Sequence, residues 1–126
     1  MARSTSDTVL DQPGDYLKNN VTKMIATAGE PTNYTDATSN KNLADVAMGS
    51  TDFTKADGDI SGRKVTVAPK SGVTIGSSGD ADHVALVDDN ATELLYVTTA
   101  TTQTLTAGNT MTFQSFDIEF RDPSAP

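Results

Sequence analysis

The stretch HVALVDDNATELLYVTT, residues 83–99, decides the fold because it contains two apolar runs separated by a turn. Residues 83–87 form an almost continuous apolar run, and residues 93–99 are again apolar at consecutive positions, a pattern typical of strands covered on both faces. Residues 88–91, Asp-Asp-Asn-Ala, have the residue types of a turn. We therefore predict an antiparallel strand pair, in which residues 83–87 form the central strand of the sheet.

A second pair of alternating segments precedes this hairpin. Residues 63–67 and 73–75 each alternate apolar and polar side chains, and residues 69–72, Pro-Lys-Ser-Gly, supply turn chemistry between them. This order predicts that the two segments pair with each other as a second hairpin.

Near the end of the chain the apolar positions change phase. Met111 and Phe113 are odd-numbered, whereas the apolar side chains of residues 116–120 are even-numbered. One extra residue at positions 114–115 would restore the register of a single strand, so the pattern predicts a β-bulge there.

The complete pattern predicts about seven or eight short strands separated by turns. This is typical of an all-β fold, either an antiparallel β-sandwich or a small barrel. We expect a single β domain over residues 21–126, with a long exposed loop at residues 29–42 because Tyr34 is almost the only side chain there to bury. Residues 1–20 are predicted to be an N-terminal arm, in which Pro13-Gly14 permits at most a short helical turn near residues 15–20.

Composition supports this class and excludes several others. The 126 residues allow one modest core, and 20 Thr, 14 Asp and 10 Ser favour strands and turns over a helical bundle. With 17 acidic and 9 basic side chains the formal net charge is −8, so the chain would repel a polyphosphate and we expect no nucleic-acid partner. The chain contains no cysteine, which excludes disulfides, thiol nucleophiles and cysteine-bound zinc.

Two features bear on location. No stretch approaches the roughly 18 consecutive apolar residues of a membrane span. The first seven residues, MARSTSD, lack the apolar run of a secretion signal. We therefore expect no membrane partner, and synthesis in a cytoplasm.

One turn has half of a calcium-binding pattern. Residues 57–62, DGDISG, place oxygen ligands at Asp57, Asp59 and Ser61, which are positions 1, 3 and 5 of a calcium loop, and glycine at position 6. Position 12 falls on Ala68, where the loop needs a bidentate glutamate, and strands rather than helices are predicted on both sides. The ligand set is incomplete, so the favoured interpretation is a structural turn that binds no metal.

Catalytic patterns are not apparent in this sequence. His83, the only histidine, lies beside Asp80 and Asp82 but has no nucleophile motif or second histidine with which to act, and we interpret it as a strand-edge side chain hydrogen-bonded to a carboxylate or to the backbone. Residues 88–90 could form a metal corner, yet a hairpin tip requires the same residue types. Glycine motifs that bind phosphates are missing. We expect no enzyme activity, no catalytic residues and no cofactor.

Six segments carry a family resemblance, at residues 50–54, 56–67, 83–88, 94–99, 105–110 and 117–120. Together they resemble a family of small proteins encoded among the virion genes of tailed bacteriophages, over residues 15–123. These are strand and turn signatures, so the resemblance implies membership and brings no catalytic residues. The family pattern includes a continuous amphipathic helix near the N-terminus, and Pro13-Gly14 departs from it.

The resemblance implies a structural component of the virion, made in the host cytoplasm. We expect a capsid decoration, or cement, protein that binds the assembled major capsid protein and copies of itself, as a homo-oligomer on the particle. The arm and the loop at residues 29–42 would then be mobile in the free protein and attach to the lattice. A tail or head-to-tail connector component is the alternative. A carbohydrate-binding, adhesin-like module is a third hypothesis, which the scarcity of aromatic residues disfavours.

Overall fold

The fold was obtained as a computed structural model, which describes residues 7–57 and 62–120. Within those ranges the chain forms one α-helix and nine strands, and every strand pairing is antiparallel. The helix is α1 (Asp7–Asn20), and the strands are β1 (Lys23–Thr27), β2 (Asn42–Ala47), β3 (Phe53–Asp57), β4 (Arg63–Val67), β5 (Lys70–Thr74), β6 (Gly79–Asp88), β7 (Glu93–Leu105), β8 (Thr110–Phe113) and β9 (Phe116–Phe120). The prediction of an antiparallel all-β fold is confirmed.

The described residues divide into two compact units, each built from separate stretches of chain. One unit draws on the described residues within the segments 1–20, 49–69 and 114–126, and the other on Val21–Met48 and Lys70–Phe113. This division differs from the expected arm at residues 1–20 and single domain at residues 21–126, because α1 groups with strands that lie far from it in sequence.

The larger unit is built on a four-stranded sheet of order β2-β1-β6-β7. The predicted hairpin of residues 83–99 is confirmed, since β6 and β7 pair through a register that sets Leu86 opposite Tyr96. Ile25, Leu86 and Val87 are fully buried. Burial at consecutive positions of β6 is the double coverage that its apolar run predicts. The same expectation for residues 93–99 is wrong, because β7 is the end strand of the sheet and none of these residues is fully buried.

A two-stranded ribbon of β5 and β8 belongs to the same unit and attaches beside β2. Ala44 and Ile75 form an isolated antiparallel bridge, and the carbonyl oxygen of Leu43 accepts hydrogen bonds from the backbone N–H groups of Gly76 at 2.8 Å and Ser77 at 3.1 Å. These contacts cover part of the outer edge of β2.

The predicted hairpin between residues 63–67 and 73–75 is wrong. Strand β4 pairs with β3 and β9, whereas β5 pairs with β8, and the chain passes from one unit to the other between Pro69 and Lys70. The glycine of the supposed turn, Gly72, has a φ of +67° inside β5, where the β5–β8 register is irregular. Positive φ suits glycine in a bulge as well as in a turn, so residue type alone did not distinguish the two.

The predicted bulge at residues 114–115 is also wrong, for a related reason. These residues connect β8 of one unit to β9 of the other, so the apolar positions on either side belong to different sheets. Phe113 and Ile118 are both buried, each in its own sheet. The apolar positions therefore change phase because the chain leaves β8 and enters β9, a strand of a different sheet.

The smaller unit is a three-stranded sheet of order β3-β4-β9 that contacts α1. This helix runs continuously through Pro13, which corrects the expectation of an arm with at most a short helical turn. Leu17 is buried, and the Asp15 carboxylate lies 2.8 Å from the Lys55 ammonium on β3. Packing against the strands compensates for the hydrogen bond that proline cannot donate, because tertiary contacts supply most helix stability in proteins.

Every helical segment among the described residues is too short and too polar to cross a lipid bilayer.

Replacing Pro13 by alanine should stabilise the protein. Proline in a helix interior removes one backbone hydrogen bond and costs about 3 kcal/mol relative to alanine, so we expect a gain of about 1–3 kcal/mol in the free energy of unfolding. Chemical denaturation followed by circular dichroism measures this gain. Asn19→Ala, at an exposed position of the same helix, is the matched control and should change stability by less than about 0.5 kcal/mol. A loss of stability in Pro13→Ala would contradict the continuous helix.

Candidate functional site

Residues 29–42, which we call the cover segment, are folded onto the four-stranded sheet. They contain a π-helical turn, Asp36–Asn40, and Ala37 within it is fully buried. Ala37 belongs to a cluster with Ile25, Ala85 and Val87, against which Tyr34 also packs. The expectation of a long exposed loop is therefore only partly met: six residues of the segment are exposed, but the small side chain of Ala37 fits closely against the strands.

Short polar side chains give the cover segment its local structure. The Asn33 side-chain oxygen accepts a hydrogen bond from the Asp36 N–H at 2.8 Å, and the Asp36 carboxylate accepts bonds from the Thr32 hydroxyl at 2.8 Å and the Asn40 amide at 3.0 Å. The bonds from Asn40 and then Thr32 lower the pKa of the Asp36 carboxyl, because they favour its ionised form. A sequence rich in Thr, Asn and Asp thus satisfies its own backbone and side chains locally.

Asp89 holds the cover segment from the turn that follows β6. The Tyr34 hydroxyl donates a hydrogen bond to the Asp89 carboxylate at 2.7 Å, and the Lys23 ammonium lies 3.6 Å from the other carboxylate oxygen. The Asp89 backbone N–H donates to the Thr22 hydroxyl at 2.9 Å. Residues from three separate parts of the chain therefore meet at this carboxylate.

The electrostatics of this cluster fix its protonation state. Partial burial opposes ionisation of Asp89, but its hydrogen bonds with Tyr34 and Thr22 and the charge of Lys23 outweigh that effect and lower the pKa of its carboxyl. The same hydrogen bond to Asp89, with some desolvation, raises the pKa of Tyr34. At neutral pH the carboxylate stays charged and the phenol stays protonated, so the pair suits a fixed contact rather than proton transfer.

Asp82 holds the other end of the cover segment. One of its carboxylate oxygens accepts a hydrogen bond from the Gly29 N–H at 2.7 Å and lies 2.8 Å from Nδ1 of His83. The bond with His83 and the bond from Gly29 lower the pKa of Asp82. Gly29 has a φ of +89°, a backbone conformation that favours glycine. His83 is thus bonded to a carboxylate, as the sequence suggested, but it lies within β6 and pairs with Thr27 on one side and Thr99 on the other, which corrects the expectation of a strand-edge position.

The turn after β6 uses a buried carboxylate as a cap. The Asp88 side chain accepts hydrogen bonds from the backbone N–H groups of Asn90 at 2.9 Å and Ala91 at 3.3 Å. This is the chemistry of a hairpin tip, in which a side chain satisfies backbone donors.

The residues of the partial calcium pattern are only partly described. Asp57 lies at the end of β3 with a largely exposed carboxylate, 2.6 Å from the Arg63 guanidinium. Asp59 and Ser61 lie outside the described residues. A guanidinium at this distance competes with a cation for the Asp57 carboxylate. Among residues 7–57 and 62–120, no three His, Asp or Glu side chains are grouped as a metal site would require.

Beside the cover segment lies an open polar groove of about 270 Å³. Thr38, Asn42 and Asp45 contribute to one side of it, and Thr74 and Ser77 contribute to the other. The Asn42 amide already bonds the Asp45 carboxylate at 2.8 Å and the Thr38 carbonyl at 3.1 Å. The groove therefore presents mostly small polar groups, and those of Thr38, Asn42 and Asp45 already make hydrogen bonds within the chain.

Sequence reasoning missed the contact that matters most here. Tyr34 was recognised as the one side chain of residues 29–42 available for burial, but nothing indicated its partner, because Asp89 lies 55 positions away. No motif joins the two residues, and only the paired strands between them bring them together.

Comparisons with protein-family models, with curated proteins and with solved structures found no match for the chain. The site is therefore interpreted from its own geometry.

Replacing Tyr34 by phenylalanine should loosen the cover segment while leaving the sheet folded. The substitution removes the hydroxyl that bonds Asp89, so proteolytic cleavage within residues 29–42 should become several-fold faster, since cleavage follows the population of locally open states. Limited proteolysis with mass spectrometry locates the cuts. Tyr16→Phe, at an exposed tyrosine of α1, is the matched control and should leave the cleavage rate unchanged. Equal cleavage rates in the two variants would contradict a holding role for the Tyr34 hydroxyl.

Stability should fall as the solution is acidified. A carboxyl whose pKa is lowered by folding contributes stability that is complete above its unfolded pKa, about 4, and is lost as the pH falls through its folded value. Asp36, Asp82 and Asp89 all have lowered pKa values in the folded state. Urea denaturation at a series of pH values should show this decline, and Asp82→Asn combined with Asp89→Asn should make it shallower. An unchanged slope in that double variant would assign the acid sensitivity to other groups.

Proposed function

We propose that the chain is a virion structural protein of a tailed bacteriophage, and that it acts as a capsid decoration, or cement, protein. The resemblance of its strand and turn signatures to small virion proteins supports this proposal. Its physical basis is the charge arrangement of the β3-β4-β9 sheet, together with the surface of the cover segment.

Each basic side chain of that sheet is already paired with a carboxylate of this chain. The ammonium of Lys55 lies 2.8 Å from Asp15, the guanidinium of Arg63 lies 2.6 Å from Asp57, and the ammonium of Lys64 lies 3.5 Å from Asp117. Arg63 and Lys64 belong to the most basic stretch of the sequence, and internal pairing occupies both.

This pairing leaves an acidic protein without a free basic patch on the sheet. Binding to packaged DNA draws on lysine and arginine side chains that displace counterions from phosphates. Here such contacts would first have to break ion pairs, in a chain of net charge −8. The arrangement favours a position on the outer surface of a particle, and it is the observation on which the proposal rests.

The cover segment offers a contact surface for the capsid. Thr35 and Ser39 are exposed, whereas Ala37 between them is buried and Tyr34 bonds Asp89. A surface held in this way loses little conformational entropy on binding, unlike the mobile loop that the sequence suggested. Its hydroxyl and amide groups suit a polar protein surface.

Cement activity requires preference for the assembled shell. A protein that binds neighbouring capsid subunits in the lattice, and not dissociated subunits, stabilises the shell by mass action. Several weak contacts made by one copy reinforce one another through their effective concentration.

The test uses phage particles that lack the protein, to which the purified chain is added. Binding should saturate at a ratio to the major capsid protein that follows the lattice, and it should raise the temperature at which the particles release DNA. Thr35→Lys combined with Ser39→Lys should weaken binding at least tenfold. Thr51→Lys combined with Thr54→Lys, at exposed positions of the other unit, is the matched control.

Quantitative mass spectrometry of native particles measures the copy number of the protein relative to the major capsid protein, which decides between the two roles. Amounts comparable to the major capsid protein support the proposal. The small fixed copy number of a closed ring, or presence only in detached tails, would overturn it in favour of a connector or tail component.

A further inference from the structure

Strand β7 is the end strand of the four-stranded sheet and the longest strand of the described chain. Its 13 residues extend over about 40 Å and pair on one side with β6. No strand within residues 7–57 and 62–120 pairs with its other side. Residues 99–104 are exposed throughout, so the outer edge of β7 offers backbone hydrogen-bonding groups to solvent.

The composition of this edge is unusual for the chain. Between Leu94 and Leu105 there is no charged residue and no proline, although the protein as a whole is strongly acidic. Charged side chains and prolines are two of the devices by which natural proteins keep an exposed edge from pairing with another chain, and β-bulges are a third. Charges and prolines are absent over twelve consecutive positions, and the register shifts are confined to Leu95 and residues 100–102, so residues 96–99 and 103–105 remain open to strand addition.

The sequence of β7 is also partly the same in both directions: three of the five residue pairs related by Ala100 are identical, whereas Val97 falls opposite Gln103 and Tyr96 opposite Thr104. Around Ala100, Thr99 matches Thr101, Thr98 matches Thr102, and Leu95 matches Leu105. Two antiparallel copies related by a two-fold axis at Ala100 would place these residues opposite each other. Threonine pairs across antiparallel strands are favourable, and no like charges would meet.

We propose that β7 is a homodimerisation strand, which pairs antiparallel with β7 of a second copy of this chain about a two-fold axis at Ala100. The two four-stranded sheets then join into one continuous sheet of eight strands. The inference does not require the protein to belong to a virion.

A second copy is the expected occupant because the matching residues are this chain's own. The contact is isologous, so it closes at two copies. Growth beyond a dimer would need the opposite edge of the sheet, where residues 75–77 already bridge and bond to Leu43 and Ala44 of β2.

One of the two irregularities in the β6–β7 ladder lies at the proposed axis. Ala81 pairs with Gln103 and His83 with Thr99, so residues 100–102 of β7 stand opposite Asp82 alone. The extra residues bend β7 locally, and the arms on either side keep their pairing with β6 except at Leu95, the extra residue of a second irregularity between Leu86 and Val87. In the dimer, residues 94–99 of each copy face residues 101–106 of the partner copy.

A single cysteine at the axis tests the pairing directly, because the chain contains none of its own. In antiparallel pairs the Cα atoms of opposed residues lie about 4.5–5.5 Å apart, within the range that a disulfide spans. Ala100→Cys should therefore oxidise to a covalent dimer at least tenfold faster than Ser71→Cys, a control at an exposed position of β5. Analytical ultracentrifugation of the cysteine-free protein should show a monomer–dimer equilibrium.

Charge variants test the register. Thr99 of one copy faces Thr101 of the other, so Thr99→Asp combined with Thr101→Asp should abolish dimerisation, whereas Thr99→Lys combined with Thr101→Asp should preserve it. Circular dichroism verifies that each variant is folded. A protein that stays monomeric at every accessible concentration, or equal dimerisation of the two charge variants, would overturn the proposal. Either result leaves the proposed virion role to be decided by particle stoichiometry.

Discussion

The burial of the β1–β6 strand pair beneath the cover segment is the interaction on which the larger unit depends. Ile25 and Ala85 are paired across these strands, and Val87 lies on the same face. A sheet of this size with one apolar face left in water would lose much of its stabilisation, since each square ångström of apolar surface removed from water contributes about 25 cal/mol. Ala37 and Tyr34 cover this apolar face, although the segment that carries them forms neither a strand nor a long helix.

Two carboxylates on or beside β6 hold that cover in place. Asp82 bonds the backbone at Gly29, where the segment begins, and Asp89 bonds Tyr34. The strand at the centre of the apolar core therefore also carries the polar groups that position its own cover. Both carboxyls have lowered pKa values, so the contacts are strongest when the groups are charged, at neutral pH.

The sequence predicted the parts of the fold that are set locally. Residues 83–99 formed the expected hairpin because their apolar runs and turn act between neighbouring positions. Pairing of β4 with β9, rather than with β5, depends on residues about fifty positions apart, and periodicity carries no information on partner choice. Pro13 misled for the same reason, since contacts of α1 with distant strands outweigh its local penalty. The contact between Tyr34 and Asp89 at the candidate site had no sequence signal at all.

The two proposed contact surfaces are compatible because they use different sides of one sheet. The cover segment packs over the face of the sheet that carries Leu94 and Val97 of β7. The proposed dimer instead uses the outer backbone edge of β7. A copy paired through β7 would keep Thr35 and Ser39 exposed for a different partner. Two such surfaces in one dimer bind a repeating lattice more tightly than one, because the second contact forms at the high effective concentration set by the first. Self-pairing through the uncharged residues 94–105 of β7 would thus strengthen the polar contact that the cover segment makes, which is weak in a single copy.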